Sequence, residues 1–178
     1  QLPPKEVQPL ALLPLDWNRN LNTNVVLGGT GEQPAGLMEN VVHGRFRWIP
    51  FEKDFSPLQP AVSLVALESD GNGSWDVLAG GSKGGTLIQT TWVPSGSVRL
   101  KEAQVFTQSP LRGLATLDFD NDGQSDVVTW GDTGLGLFRG QAGKLRDSSN
   151  LLKGLVSEPL KCVPSDVDGD GDQDLAVL

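Results

Sequence analysis

The nonapeptide Asp118-Phe119-Asp120-Asn121-Asp122-Gly123-Gln124-Ser125-Asp126 carries a side-chain oxygen at its positions 1, 3, 5 and 9 and a glycine at position 6. The same frame returns as Asp166, Asp168, Asp170 and Asp174, as Glu68, Asp70, Asn72 and Asp76, and, richer in amides, as Asp16, Asn18, Asn20 and Asn24. In chain order these are loops 1 to 4, beginning at residues 16, 68, 118 and 166, with spacings of 52, 50 and 48 residues. A period near fifty is the mark of a repeat architecture in which each unit is one supersecondary element.

The flanks say what that element is. Each loop is followed by a short apolar run: Val25 to Leu27, Val77 to Ala79, Val127 to Trp130 and Leu175 to Leu178, the first three closed by Gly. Runs of this length bounded by turn residues read as buried strands, with position 9 of the loop as the first strand residue. Strands are predicted before the loops as well, at Leu10 to Leu15, Ala61 to Leu67, Leu114 to Leu117 and Leu160 to Val163. Gly-rich turns such as Gly80 to Gly85 lead to a third run, Thr86 to Trp92, and a turn at Pro94 to Ser97 leads to a fourth, Val98 to Phe106. Each unit is thus a four-stranded antiparallel sheet, and such sheets repeating every fifty residues are most simply the blades of an all-β propeller.

An EF-hand begins with the same residues but needs a bidentate Glu at position 12 and a helix on each side. Position 12 is Leu27, Ala79, Thr129 and Val177, so that reading fails. The oxygen pattern still has a chemistry. Alternate residues of a tight loop can turn their oxygens to one point, and the backbone carbonyl of position 7, here Ser74, Gln124 and Asp172, can complete the shell. Ca²⁺ takes 6–8 oxygens at about 2.3–2.6 Å without demanding an ideal octahedron, which Mg²⁺ does. Glycine at position 6 (Gly73, Gly123, Gly171) supplies the positive φ of a sharp turn, and loop 1 has Leu21 there instead.

Loops, period and trailing strand-Gly-Gly together resemble FG-GAP or VCBS repeats, the blade type of integrin α-subunit propellers and of many bacterial secreted proteins. The resemblance covers essentially the whole chain. It implies that each loop joins the first two strands of a blade and holds Ca²⁺, with ligands at Asp118, Asp120, Asp122 and Asp126 and at Asp166, Asp168, Asp170 and Asp174. Loop 2, with Glu68 and Asn72, is expected to be a weaker site, and loop 1, with one carboxylate, to be a turn held by amides. Loops 3 and 4 are expected to fill first, since affinity follows ligand charge.

Of the 22 acidic residues, thirteen lie in the four loops, so the net charge of −8 belongs to the loops. Like charges so crowded repel unless a cation sits among them. No basic stripe or positive net charge exists to attract nucleic acid. No apolar run approaches the ~20 residues of a membrane-spanning helix. The one cysteine, Cys162, in an apolar stretch, reads as a small buried residue, and the N-terminal Gln1 to Glu6 as no signal peptide. The single histidine, His43, reads as a surface residue in a strand spanning Val41 to Trp48. The sequon Asn72-Gly73-Ser74 reads as part of the loop rather than a glycan acceptor. Trp17, Trp48, Trp75, Trp92 and Trp130 are spread over the units and most are expected to pack between blades, although an exposed one could stack on a sugar.

The reading is therefore a non-enzymatic, Ca²⁺-binding propeller segment outside the cytosol (extracellular, cell-surface or periplasmic), serving adhesion or assembly through a protein or glycan ligand. Its rival is a carbohydrate-binding or carbohydrate-active propeller with a site at the channel mouth. At this period 178 residues make units at about 11–60, 61–112 and 113–158 and half a unit at 159–178, which is half of seven. The missing blades are expected from a longer parent chain or from self-association.

Overall fold

The computed structural model describes residues 9–29, 35–42, 44–51, 60–93 and 97–178. The N-terminal Gln1 to Glu6, His43 and the Pro94 to Gly96 part of the predicted turn lie outside the described residues. Fourteen strands and one short 3-10 turn, Ser149–Leu151, make up the regular structure, with no α-helix among the described residues. The first sheet is β1 (Ala11–Leu15), β2 (Asn24–Gly28), β3 (Gly36–Asn40) and β4 (Phe46–Pro50). The second is β5 (Ser63–Leu67), β6 (Asp76–Gly81), β7 (Gly84–Val93) and β8 (Ser97–Thr107). The third is β9 (Gly113–Leu117), β10 (Asp126–Gly131), β11 (Gly134–Gln141) and β12 (Lys144–Asp147), and β13 (Cys162–Ser165) with β14 (Asp174–Val177) forms a two-stranded fourth.

Every sheet is an antiparallel meander in chain order. The four acidic loops are in each case the connection from the first strand to the second, and position 9 is the first residue of β2, β6, β10 and β14. The first strands β1, β5, β9 and β13 touch in succession, and the Ser63 hydroxyl bonds the Leu114 backbone across from β5 to β9. First strands on a common axis, with later strands fanning outward, are the arrangement of β-propeller blades. The molecule is therefore all-β, with three complete blades and half of another.

The apolar runs after the loops are continuous because both faces of a second strand are buried. Side chains alternate between faces. On β6, Val77 and Ala79 join Val26, Leu64 and Ile88 between the first two blades, while Leu78 joins Leu87, Leu114 and Phe138 between the second and third. On β10, Val127 faces that second cluster, and Val128 and Trp130 face a third that holds Leu137, Leu152 and Cys162. All six residues of β6 and all six of β10 are buried. On β14 the pattern falls to alternation: Leu175 and Val177 pack on the third cluster, and Ala176 is exposed.

The structure departs from one sequence expectation. The predicted strand through Val41 to Trp48 is interrupted: Val42 and Gly44 have φ of 68° and 72°, the Val41 N–H donates to the Arg45 carbonyl, and β4 starts only at Phe46. The tryptophans do not all pack between blades. Trp17 and Trp130 are buried in the clusters and Trp48 covers Gly36, but Trp75 and Trp92 are 38% and 44% exposed. Trp75 sits in loop 2, and Trp92 lies near the tip of the β7–β8 hairpin, whose strands outrun those of the flanking blades.

The glycines that close the second strands serve close approach. A Cβ at Gly81 would lie 2.1 Å from the Pro60 carbonyl oxygen, on the chain leading into β5, while the Leu111 N–H of the next blade donates to the Gly81 carbonyl at 2.9 Å. Gly71, by contrast, needs only its φ of 70° and has open space around it. Gly81→Ala should lower the stability by about 1–3 kcal/mol through overpacking. Gly71→Ala should cost about 1 kcal/mol from backbone strain alone. Urea midpoints of the two variants check the order.

Candidate metal sites

In each loop the position 1 carboxylate gathers the backbone of the turn. Asp118 accepts from the Asp122 and Gly123 N–H groups at 3.1 and 2.9 Å, Asp166 from Gly169 and Gly171 at 2.7 and 3.1 Å, and Asp16 from Asn20 and Leu21 at 3.0 and 2.9 Å. Glu68, one methylene longer, accepts from Asn72 alone among these, at 3.1 Å. Position 5 then accepts from the N–H of position 7: Asn20 from Asn22, Asn72 from Ser74, Asp122 from Gln124 and Asp170 from Asp172. Leu21 adopts φ of 66°, in the same left-handed region as Gly73, Gly123 and Gly171, so loop 1 keeps the shape without the glycine.

Three loops bring carboxylates together. Oxygens of Glu68, Asp70 and Asp76, of Asp118, Asp120 and Asp122, and of Asp166, Asp168 and Asp174 lie within 4.8 Å of one another in each group. Donor sets made only of hard oxygen at this spacing fit a hard cation such as Ca²⁺. Asp126 stands outside the loop 3 group and Asp170 outside the loop 4 group. Loop 1 has only Asp16, and its Asn18 oxygen accepts from the Asn24 amide at 3.5 Å, so amides close that turn as the sequence indicated. At position 7 the side chains point to other work: the Ser74 hydroxyl accepts from the Trp92 N–H, the Gln124 amide oxygen from the Ala142 N–H, and Asp172 from the Asn121 amide of loop 3. Asn72 donates to the Thr90 carbonyl at 2.8 Å, so the amide of the sequon is tied into the blade.

Position 9 has a second role that the spacing did not reveal. Asp126 receives the Phe119 N–H on one oxygen at 2.9 Å and the Gly140 N–H of β11 on the other at 2.7 Å. Asp76 does the same with Ser69 and with Thr90 of β7, at 3.0 and 2.8 Å, and Asn24 reaches Asn40 of β3 at 2.9 Å. The residue clamps its own loop to the third strand of the blade. Burial pushes the Asp76 and Asp126 carboxyls above the usual carboxylate range, against the pull of these backbone bonds. Neighbouring carboxylates, Asp70 for Asp76 and Asp122 and Asp118 for Asp126, push the same way as burial.

Two cations that sequence reasoning missed also meet the loops. Lys101 of β8 pairs with Asp70 at 2.5 Å, and Arg139 of β11 pairs with Asp120. They come from different strands, 31 and 19 residues beyond their partners, so no local spacing announces them. The loops also lean on each other, the Asp118 N–H donating to the Gln173 side chain of loop 4 at 3.1 Å. Elsewhere, Cys162 is buried and its thiol is pushed up by desolvation, which keeps it a poor nucleophile.

The clamp and the cluster separate in mutants. Asp126→Ala leaves two backbone N–H groups in the blade without an acceptor and should cost about 2–4 kcal/mol whether or not Ca²⁺ is present. In EDTA, Asp122→Ala, at an exposed position, should cost under about 1 kcal/mol. Thermal melts of the two variants with EDTA and with Ca²⁺ make the comparison.

Comparison with known proteins bears on both fold and loops. Residues 118–177 match the family model described as FG-GAP-like repeat. No curated protein matches the chain. Among solved structures 22 chains match. One comes from a study of the specific recognition of non-reducing terminal N-acetylglucosamine by an Agrocybe aegerita lectin, with a TM-score of 0.57 and 16% identity, over 92% of this chain and 46% of that chain. The present chain thus spans less than half the length of that lectin, and at this identity the likeness concerns the fold alone. The matched stretch from 118 to 177 holds loops 3 and 4 and strands β10 to β14, and is similar to the family that the loops resemble.

Proposed function

We propose that this chain is a Ca²⁺-stabilised, non-enzymatic propeller module that works outside the cytosol, in adhesion or assembly with a protein or glycan partner. The observation that carries the reading is the convergence of three carboxylates in each of loops 2, 3 and 4, at one place in the blade repeat. Glu68, Asp70 and Asp76 would hold one ion, Asp118, Asp120 and Asp122 a second, and Asp166, Asp168 and Asp174 a third. Ca²⁺ would supply the countercharge that lets clustered carboxylates coexist, and so fix the connection between the first two strands of each blade. Millimolar Ca²⁺ outside cells would keep such sites filled even where the affinity is modest. The non-enzymatic part rests on how the acidic residues are spent: most are engaged in the loops, and the one thiol is buried.

A glycan partner is favoured over a protein one by the exposed tryptophans. Trp75 and Trp92 are exposed on the second blade, where their rings can stack on a sugar face, and N-acetylglucosamine, the sugar named for one lectin of like fold, serves as the first probe. Titration with N-acetylglucosamine-terminated oligosaccharides should quench tryptophan fluorescence, and Trp92→Ala should remove the response. A protein partner would leave fluorescence flat in that titration.

Binding to the native state alone adds about RT ln(1 + [L]/Kd), or ~2.7 kcal/mol at a hundredfold excess over Kd. Ca²⁺ should therefore raise the melting temperature by several degrees over EDTA. Asp168→Ala together with Asp118→Ala should abolish most of that gain, whereas Asp16→Ala should leave it intact. Melting curves that coincide in EDTA and in millimolar Ca²⁺ would remove the proposal.

A further inference from the structure

The third position of the loop is treated differently in each copy. In loop 1 it is Asn18, whose oxygen takes an amide N–H from Asn24. In loop 2 it is Asp70, which takes the Lys101 ammonium, and in loop 3 it is Asp120, which takes the Arg139 guanidinium. In loop 4 it is Asp168, and no Lys or Arg stands within ion-pair distance of it among the described residues. Both paired aspartates belong to the convergent carboxylate groups. An oxygen that coordinates a divalent ion cannot also sit at full strength on a guanidinium, since the two cations repel across it.

We propose that Lys101 and Arg139 are tethered countercharges that occupy the metal ligands of loops 2 and 3 and are displaced when an ion enters. The inference rests on the calcium reading of the loops and adds an order of filling to it. Loop 4, with nothing to displace, takes its ion most tightly. Loop 3 must give up the Arg139 pair, and loop 2 must give up Lys101 with the neutral Asn72 at position 5. The tethered cations hold the loops in shape without an ion and so flatten the dependence of the fold on metal. Arg139 is 40% exposed and faces Arg146 across the β11–β12 pair, so a swing off Asp120 carries its guanidinium toward solvent.

The test is calorimetric titration with CaCl₂ in an Asp168→Asn background, where loop 3 becomes the leading site. Arg139→Gln should tighten that site about two- to tenfold, the range set by losing a part-exposed ion pair and one repulsive charge near a divalent ion. Arg146→Gln removes a charge from the same strand pair without touching Asp120, and should move the affinity less. In EDTA, Arg139→Gln should melt below the parent, because the carboxylates lose their countercharge, while its gain on adding Ca²⁺ should be larger. Equal or weaker affinity in Arg139→Gln, or an equal effect from Arg146→Gln, overturns the inference and leaves the calcium reading standing. No binding heat in any variant, the unmodified chain included, overturns both.

Discussion

The structure depends on one side chain used three times: the acid or amide at position 9, buried where the loop gives way to the second strand. Asn24, Asp76 and Asp126 are 0%, 0% and 1% exposed, and each accepts from a backbone N–H of the third strand. An acceptor in that place satisfies donors that burial between blades would otherwise leave unpaired, at a cost of about 1–3 kcal/mol each. It also fixes how far the loop stands from the sheet, and so where the other oxygens of positions 1, 3 and 5 come to rest. The amide of Asn24 keeps the bond to the third strand without a charge, which shows that the clamp is structural first.

Around that clamp the blades are held by their faces. A sheet packed on both sides fills its inner strands mostly with apolar residues, so β6 and β10, apart from Asp76, Asp126 and Thr129, lack the alternation of a half-exposed strand. Some polar side chains join neighbouring blades through bonds to the backbone. Gln104 of β8 donates to and accepts from the backbone of Leu145 in β12, at 2.9 and 3.0 Å, so one amide joins two blades as a peptide group would. Gln89 likewise ties Ser69 of loop 2 to the Gly143 carbonyl of the third blade. These contacts seat loop 2 against the next blade, beside a groove of about 360 Å³ that also touches loop 3.

What could be read from sequence was whatever repeats with a short period. The loops, the strands on either side and the Gly80 to Gly85 turn depend on residues close together in the chain, and the pattern finds each of them, although β5 and β13 start later than it indicates, at Ser63 and Cys162. The pattern says less about which acids meet: positions 1 and 3 converge in loops 2, 3 and 4, but the third member is position 9 in loops 2 and 4 and position 5 in loop 3. Side chains arriving from elsewhere were not legible. The clamp partners Asn40, Thr90 and Gly140 present backbone N–H groups, which carry no sequence signature, and Lys101 and Arg139 come from non-equivalent strands. Leu21 shows the opposite failure. It breaks the glycine rule, yet the two Asp16 oxygens hold the turn in the left-handed region anyway, because the side chain is 95% exposed and meets nothing.

Along the chain the loops form a graded series. Loop 1 has one carboxylate and closes with amides; loop 2 has three and a lysine; loop 3 has four and an arginine; loop 4 has five, counting Asp172, and no ion-paired cation among the described residues. The backbone bonds to position 1 recur in loops 1, 3 and 4, so what changes along the series is the charge and not the turn itself. Repulsion within a loop grows with the number of charge pairs, faster than the number of charges, so each further carboxylate is harder to balance with a single tethered cation. A lone lysine or arginine also loses rotamer freedom to hold its place, and at an exposed site it returns little. Beyond three or four clustered acids a mobile divalent cation is the more effective countercharge, since one small ion meets several oxygens at once. In the first blade the turn stands on hydrogen bonds with little charge to balance, whereas loops 3 and 4 keep the same backbone bonds, from Asp118 and Asp166, and add to them a charge that the proposed Ca²⁺ would balance.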